Sequence, residues 1–284
     1  MENLTGETSS CKHANFSVES DVELPPWQTT YNSRRLKIGW RGRAVTALSQ
    51  GPYRAYLYPV FTPAGVAATC EGPTDHPHHQ SITIGTDHLH CSVPLPPLSF
   101  APGRQEEATY NCWMNETYLG RAPGRIIATS VDSRELSADH LRIVQSLEWR
   151  GPSEWGAPEG RLVAGETRTI DIYPGEVANI FDIRSQLAPT QWDLKLGPTI
   201  HAYFTIRMAD GLRPTDGATL IDSLGRCGAS QIRGQDADWV DYSGKVAHGQ
   251  HAGLAVLPHP SAGRPPRHVS DWGSMSINPF LVAG

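Results

Sequence analysis

The sequence predicts an all-β fold, a large antiparallel sandwich of two sheets, and three observations indicate it. First, 27 glycines and 23 prolines are dispersed along 284 residues, a pattern that suits short strands and turns better than long helices. Second, segments rich in β-branched and aromatic residues recur over the whole length. Third, no window of a dozen residues shows the apolar period of about 3.6 residues that is typical of a helix.

The strands are predicted in chain order. They cover residues 36–40, 54–61, 81–85, 141–149, 166–172, 180–187, 202–207 and 253–257. Alternation is clearest in the fifth segment, where Thr167, Thr169 and Asp171 are expected on one face and Arg168, Ile170 and Ile172 on the other. Strands this numerous and evenly spread favour two stacked antiparallel sheets over a small barrel.

The chain is expected to form one β-sandwich domain over residues 26–284, because no linker divides it. Residues 1–25 read as a polar N-terminal arm. Residues 93–103 hold too many prolines for a central strand and predict a long ordered loop. This loop is either a wall or lid of a binding site or a simple surface connection.

Composition excludes several classes of function. Charged residues make up 19% and the formal net charge is −5, so no basic surface for nucleic acid is indicated. No apolar run reaches the roughly 18 residues that span a membrane, and the N-terminus does not read as a secretory signal. Five scattered cysteines without a CxxC pair favour a reduced, cytoplasmic protein. Motifs for nucleotide binding, the serine-hydrolase elbow and HExxH are absent from the sequence, while paired carboxylates of the glycosidase kind stay open.

The most informative segment is residues 74–81, where Asp75 is followed by His76, His78 and His79 and then by Gln80. We refer to His76, His78 and His79 as the histidine cluster. On an extended strand, His76 and His78 would share one face, and Asp75 and His79 would point to the other. Such imidazoles form half of a metal site or an acid–base pair with pKa values near neutrality.

Three roles are open to the histidine cluster. His76 and His78 could ligate one divalent metal ion (Zn, Mn or Fe), with a third ligand drawn from elsewhere. Candidates for that third ligand are His79, His201, His248, His251 and His259. Without a metal, one imidazole could abstract a proton and a second group return it. In the third role the cluster only binds ligand hydroxyl groups, as in a lectin-like module.

Several segments together resemble the PmoA-like family, a bacterial domain of unknown function named after methane oxygenase. They are residues 56–66, 75–79, 181–187, 238–244, 257–261 and 278–280, and they span roughly residues 50 to 280 in the family's order. The resemblance implies a β-sandwich similar to galactose mutarotase. It also implies carbohydrate-like substrates, because family members often lie among sugar-processing genes.

Two departures from the family pattern bear on the site. His259 follows Pro258, where the family usually has an aspartate that would orient the imidazole. Residues 82–84 are Ile, Thr and Ile, where the family tends to place aromatic side chains, so no sugar-stacking platform is expected at that point of the chain.

Two further groups are candidates for ligand contacts. Asp241 and Tyr242 either form a polar wall facing the histidines, or Trp239 is a core residue and Asp241 opens a turn at residues 243–244. Arg184 lies opposite the apolar side of its strand, and it either grips a carboxylate or keto oxygen or is simply solvated.

The sequence therefore predicts an enzyme that acts on a sugar-like or oxidised, oxygen-rich small molecule by proton abstraction, leading to elimination, hydration or C–O cleavage. The alternatives are a non-catalytic carbohydrate-binding module and a metal-dependent oxygenase. The expected catalytic residues are His76, His78, His79, Asp241 and Tyr242. The expected substrate-binding residues are Asp75, Gln80, His88, His90, Arg184, Trp239 and His259. Neither a nucleic-acid nor a membrane partner is expected.

Overall fold

The protein is represented by a computed structural model, which describes residues 26–32, 35–94, 103, 105–154, 156–246 and 249–280. The predicted N-terminal arm lies outside the described residues, and so do residues 95–102 of the proline-rich loop. In the described part of the chain, no helix is long and apolar enough to cross a membrane. Cys70, Cys91, Cys112 and Cys227 are free thiols.

The described residues are built almost entirely from strands. The strands are β1 (Trp27–Asn32), β2 (Arg35–Trp40), β3 (Arg43–Gln50), β4 (Ala55–Val60), β5 (Ile82–Thr86), β6 (Leu89–Pro94), β7 (Gln105–Tyr110), β8 (Arg125–Ser137), β9 (His140–Arg150), β10 (Leu162–Tyr173), β11 (Ile180–Pro189), β12 (Leu194–Leu196), β13 (Ala202–Arg207), β14 (Thr219–Asp222), β15 (Val240–Lys245), β16 (His251–Val256), β17 (Arg267–Val269) and β18 (Ser274–Ile277). The helical segments are α1 (Ala229–Ile232) and 3-10 turns at Pro214–Asp216 and Pro260–Ala262. The predicted all-β fold class is confirmed.

The strands form antiparallel sheets. The largest has eight strands in the order β1-β2-β3-β4-β5-β13-β18-β17, and a second has four in the order β11-β10-β9-β8. Two smaller sheets follow the orders β12-β6-β7 and β14-β15-β16. Each of the eight predicted strand segments overlaps an observed strand, because period-two patterning and β-branched composition act locally.

The core lies between the eight-stranded sheet and the sheets that cover it. One apolar cluster joins Ile38, Leu57 and Met275 of the large sheet to Ile143 and Ile170 of the four-stranded sheet. A second cluster joins β4 and β5 to β6 and to the four-stranded sheet. On β10 the predicted alternation is present from 166 to 170, since 166, 168 and 170 are buried while 167 is exposed and 169 is half-buried. Asp171 departs from it, because it is buried by its contacts with His140 and Arg142. Burial on this scale is the main favourable term in folding.

The two sheets also enclose a buried ion pair. Arg168 donates to both carboxylate oxygens of Glu166, at 2.8 and 2.9 Å. The indole of Trp149 and the hydroxyl of Ser185 donate to the same carboxylate. Because the acceptor oxygens of Glu166 are satisfied, this charge pair is a structural element of the core rather than an open site.

The histidine cluster is carried by the connection between β4 and β5, which is pinned to the end of β13. Cys70 donates its backbone N–H to the carbonyl of Arg207, and Arg207 donates its own to the carbonyl of Ser81. Glu71 and Gln80 form an isolated bridge that closes the base of the loop between them. This loop is therefore a short excursion from the eight-stranded sheet, and its tip carries residues 75–79.

Candidate functional site

The histidine cluster sits on two consecutive turns. His76 donates its backbone N–H to Pro73 at 3.0 Å, and His79 donates to His76 at 2.9 Å. The expectation that residues 76 and 78 lie on an extended strand is therefore wrong. Two prolines, Pro73 and Pro77, lie within the segment, and they favour turns over a paired strand because proline has no N–H to donate.

The turns bring all three imidazoles together. Ring centroids are 5.8 Å apart for His76 and His78, 4.9 Å for His76 and His79, and 4.6 Å for His78 and His79. His79 is 7% exposed and lies innermost, while His76 and His78 are half-buried. His79 does not point away from His76, as strand geometry would require, since the turns place it beside the other two rings.

Two tryptophans from distant parts of the chain line the histidine cluster. The indole of Trp272 stacks on the ring of His76, with centroids 4.3 Å apart and planes inclined by 6°. Trp113 meets His79 edge to face at 6.1 Å. The segment that follows the cluster has no aromatic residue, as the sequence indicates, but these two indoles bring aromatic side chains to the same place in the fold.

An aspartate orients the ring of His76. Asp75 Oδ2 lies 3.0 Å from His76 Nδ1, and Arg207 Nη2 donates to both oxygens of Asp75 at 2.9 and 2.7 Å. Burial opposes ionisation, but the hydrogen bonds from His76 and Arg207 outweigh it and lower the pKa of Asp75 to about 2. Asp75 is thus a firmly ionised partner of His76, a role different from the substrate contact expected for it.

Burial keeps the other two imidazoles neutral. Desolvation, together with the charge of nearby Arg54, lowers the pKa of His78 to about 4. Desolvation and the neighbouring imidazoles lower the pKa of His79 to about 2. At neutral pH both rings are therefore uncharged, so each has one nitrogen that donates and one that accepts a hydrogen bond.

A second aspartate–histidine pair adjoins the cluster. The buried carboxylate of Asp87 lies 3.3 Å from His201 Nδ1 and 3.4 Å from Arg121 Nη1, and it also accepts a hydrogen bond from Thr199. Although burial raises it, the hydrogen bonds from His201 and Thr199 lower the pKa of Asp87 overall. The ring of His201 lies 6.3 Å from that of Trp113, the indole that also contacts His79. Besides desolvation, His201 is one of the groups that lower the pKa of His78.

Two buried arginines border the cluster, and neither was anticipated. Arg54 is 1% exposed and donates from Nη2 to the carbonyl of His78 and to Asn115 Oδ1, both at 2.8 Å. The guanidinium of Arg207 lies 4.5 Å from the ring centre of Trp272. Both arginines do have a sequence signal. Arg54 directly precedes the apolar strand β4 and Arg207 ends β13, and a charged side chain next to buried residues needs a polar partner.

Several donors at the site are buried without a hydrogen-bond partner in the described structure. They are Arg54 Nη1, Arg207 Nε and Nη1, and Trp113 Nε1, together with His79 Nδ1, whose role depends on its tautomer. Buried polar groups are normally satisfied, so a cluster of orphaned donors indicates a place where an acceptor belongs. Gln80, which is buried below the cluster, has an unpartnered Oε1.

Other expected site residues lie apart from the histidine cluster. His88 contacts the carbonyl of Pro198 through Nδ1 at 3.0 Å. His90 on β6 bonds Thr109 and Glu107 of β7. His88 thus contacts a loop carbonyl and His90 makes cross-strand contacts, and none of these contacts is with residues 76–79.

The segment around Asp241 is a strand and contains no turn, since β15 runs through Gly244 to Lys245. Asp241 and Tyr242 therefore face opposite sides of the sheet and do not form one wall. Tyr242 is fully buried, with its hydroxyl 3.0 and 3.1 Å from the carbonyls of Ser270 and Ser274. It supports the turn that presents Trp272. Trp239 is only half-buried, so the expectation of a core residue there is wrong.

The remaining candidates are solvent-facing or outside the described residues. Arg184 is exposed on β11, as the solvated interpretation predicts. His251 is exposed on β16. His259 is exposed and caps the turn at Pro260–Ala262 by accepting from Ser261 N. His248 lies outside the described residues.

A metal ion fits this arrangement poorly. Within the ranges that the structure describes, no group of three or more His, Cys, Asp or Glu side chains is placed to hold one. The Nδ1 atom of His76 faces Asp75, and the cationic Arg54 lies next to His78. A second positive charge there would be repelled by the guanidinium.

Two grooves lie elsewhere. One of about 620 Å³ is lined by residues of β2, β3, β8 and β9, including Leu36, Gln50 and Gln145. The other, of about 610 Å³, lies against the four-stranded sheet beside Glu148 and Thr167. Neither groove contains a residue of the histidine cluster. The cluster carries histidines with perturbed pKa values and orphaned donors, so it is the better candidate for chemistry.

Comparison with known proteins identifies one family. Residues 35–283 match the sequence model described as a family of unknown function (DUF6807). The match extends from β2 past β18, so it includes every residue of the site described above. No curated protein matches this chain. No solved structure matches it either.

Proposed function

The chain belongs to this family of unknown function, and from the geometry of its histidine cluster we propose that it is an enzyme of acid–base chemistry. Its substrate is a sugar-like or oxidised, oxygen-rich small molecule, and the first step is removal of a proton by an imidazole. The observation that carries the proposal is the Asp75–His76 pair, held by Arg207 and stacked on Trp272.

The pair is arranged as a general base. With Asp75 accepting the Nδ1–H of His76, the lone pair of Nε2 is free to take a proton from the substrate. The ionised carboxylate stabilises the imidazolium that forms, and stacking on Trp272 holds the ring plane. Such orientation reduces the entropy cost of reaching the reactive geometry.

The pair formed by Asp87 and His201 is the candidate for returning the proton. His201 is oriented through Nδ1 in the same manner as His76, and its ring contacts Trp113, the indole that also contacts His79. Proton removal at one end of a substrate and delivery at the other is what elimination, hydration or C–O cleavage requires. His78 and His79, being neutral, are suited to hydrogen bonds with hydroxyl groups.

The sugar-like substrate class is supported by the chemistry of the lining. Trp113 and Trp272 add aromatic surface to the lining, and the imidazoles and orphaned donors add groups that form hydrogen bonds. Sugar rings present apolar C–H faces and polar rims in the same way. The same lining would serve a non-catalytic carbohydrate-binding module, which is the second candidate.

The test is proton exchange. Wild-type protein is incubated in D₂O with a panel of aldoses, keto-sugars and glycosides, and deuterium incorporation is followed by NMR. We expect exchange next to a carbonyl carbon in the wild type and its loss in His76→Gln. The matched control is His140→Gln, because His140 forms another aspartate–histidine pair, with Asp171 at 2.7 Å, on β9 and β10.

Three outcomes would count against the proposal. Exchange that persists in His76→Gln removes the proposed base. Sugars that raise the melting temperature without any exchange assign the site to a binding module. Stoichiometric metal in untagged protein, lost together with activity on chelation and restored by adding the ion, would replace the metal-free mechanism with a metal-assisted one.

A further inference from the structure

We propose that the site recognises a carboxylate group on its ligand, and that Arg54 is the residue that pairs with it. This inference rests on the proposed function in one respect, because the carboxylate belongs to the same small molecule. It adds a substrate class, the sugar acids and related hydroxy or keto acids, and a binding residue that sequence reasoning did not find.

Arg54 is a buried cation without an anionic partner among the described residues. It is 1% exposed, and no carboxylate in the described ranges forms an ion pair with it. Among the other buried arginines, Arg168 pairs with Glu166 and Arg207 with Asp75, whereas Arg267 donates to a backbone carbonyl and lies on β17. Burying an unpaired charge is costly, so a guanidinium in this position favours any anion that reaches it.

Arg54 also contacts the turn that carries the histidine cluster. Its Nη2 donates to the carbonyl of His78, which fixes the guanidinium directly below the turn that carries the imidazoles. The neighbouring Nη1 is buried and has no partner. The unpartnered indole N–H of Trp113 belongs to the same group of side chains through its contact with His79. Donors of this kind match the acceptor oxygens of a carboxylate.

Asn115 is the side chain that accepts a hydrogen bond from Arg54. Its Oδ1 accepts from Arg54 Nη2 at 2.8 Å, and the residue is partly exposed. A neutral amide oxygen is a weaker acceptor for a guanidinium than a carboxylate oxygen. A ligand carboxylate could approach from solvent at Asn115, because that residue is partly exposed. By displacing the Asn115 side chain, the carboxylate would gain a charge-assisted hydrogen bond from Arg54.

The charge balance favours a monoanion. Three guanidinium groups, those of Arg54, Arg121 and Arg207, meet two carboxylates, those of Asp75 and Asp87. Burial keeps His78 and His79 uncharged, and these guanidinium groups outnumber these carboxylates by one. A single carboxylate neutralises the difference, whereas a phosphate dianion would bring excess negative charge beside two ionised aspartates. The planar fork of arginine also matches a carboxylate in two-point contact.

The experiment compares ligands that share a sugar ring and differ in charge. Thermal shift and calorimetry are carried out with glucose, glucuronate, gluconate and glucose 6-phosphate, and with acetate as the bare carboxylate. We expect the carboxylates to raise the melting temperature of the wild type more than glucose does at equal concentration, and the phosphate ester to be no better than glucose.

Three variants separate binding from folding. Arg54→Met removes the charge and is expected to weaken carboxylate binding about 30-fold or more, without lowering the melting temperature of the free protein. Arg54→Lys keeps the charge but loses the planar pairing, and it should bind carboxylates with intermediate affinity. Asn115→Ala removes only the competing acceptor, so carboxylate affinity should be retained or increased.

The results distinguish this inference from the proposed function. Carboxylate binding that is lost in Arg54→Met, with no proton exchange on any substrate, supports the inference and overturns the enzyme proposal. Proton exchange on neutral sugars, with no rise in melting temperature on adding carboxylates, supports the enzyme proposal and overturns the inference about Arg54. The inference is also overturned if none of the carboxylates stabilises the wild type, if Arg54→Met responds as the wild type does, or if glucose 6-phosphate is the preferred ligand.

Discussion

Replacing His79 should remove a defined part of the protein's acid sensitivity. The ring is 7% exposed, and burial lowers its pKa to about 2, whereas in the unfolded chain a histidine titrates near about 6.5. Below pH of about 6.5 the unfolded state takes up a proton that the folded state refuses. The contribution of His79 to stability is therefore fully present above that pH and is lost progressively as the pH falls toward about 2.

The size of the effect follows from linkage. Between about pH 8 and about pH 5, one histidine with these two pKa values lowers the free energy of unfolding by about 2 kcal/mol. In His79→Phe, a ring of similar size fills the same space between Trp113 and His76, and it has no proton to bind. The variant should thus lose about 2 kcal/mol less than the wild type over this interval, with the remaining loss due to His78 and other groups.

The assay is urea unfolding at the two pH values, read by tryptophan fluorescence and by circular dichroism to check that the transitions coincide. His251→Gln is the control, because His251 is exposed on β16 and its replacement leaves the buried imidazole in place. The control should keep the wild-type difference between the two pH values. If wild type and His79→Phe lose equal stability on acidification, then His79 is not held neutral by burial, and the electrostatic description of the site fails with it.

Three further substitutions test the packing that supports the site, each by urea unfolding. Glu166→Gln breaks a fully buried ion pair and should cost about 3–5 kcal/mol, because it leaves its arginine partner uncompensated. Tyr242→Phe removes a hydroxyl bonded to two backbone carbonyls and should cost about 1–3 kcal/mol, with a change in the fluorescence of the neighbouring tryptophan turn. Gly160→Ala places a Cβ against the carbonyl of Gly151 at a backbone φ of 74°, so it should cost at least about 1–2 kcal/mol. Gly217→Ala, at a φ of 90° with no atom nearby, should cost less and shows the effect of φ alone.

The strands were predictable from sequence because their signal is local. In β10 the alternation of apolar and polar residues is visible in consecutive positions, and the observed burial follows it from 166 to 170. The same rule, applied to residues 240–244, would have shown that Asp241 and Tyr242 point in opposite directions. Gly244, which suggests a turn from composition, lies instead within β15, where an added Cβ would meet the backbone of Gly211.

The histidine cluster was found for a similarly local reason, since its three members are adjacent in the chain. Its surroundings were not found, because they depend on strand order. Arg207 reaches Asp75 because β13 pairs with β5, and Trp272 precedes β18, which is the next strand in the sheet. Sheet order brings together residues that are more than a hundred positions apart, and one sequence carries no signal for that order.

Arg54 and Arg168 show how buried charges of the same kind serve different ends. The two side chains are equally buried and lie close together, since Arg168 donates to the carbonyl of Ala55, the residue after Arg54. Arg168 forms an ion pair with Glu166, which lies two residues away on the same strand, so its charge is compensated without a ligand. Arg54 donates to two neutral acceptors, the carbonyl of His78 and Asn115 Oδ1, and its Nη1 has no hydrogen-bond partner. An unsatisfied buried donor costs about 1–3 kcal/mol, a sizeable fraction of the net stability of a typical domain. Arg267 is also fully buried and forms no ion pair among the described residues, so burial alone does not identify a ligand site. What distinguishes Arg54 is its hydrogen bond to the turn that carries the histidine cluster, and this position supports the proposed pairing with a ligand carboxylate.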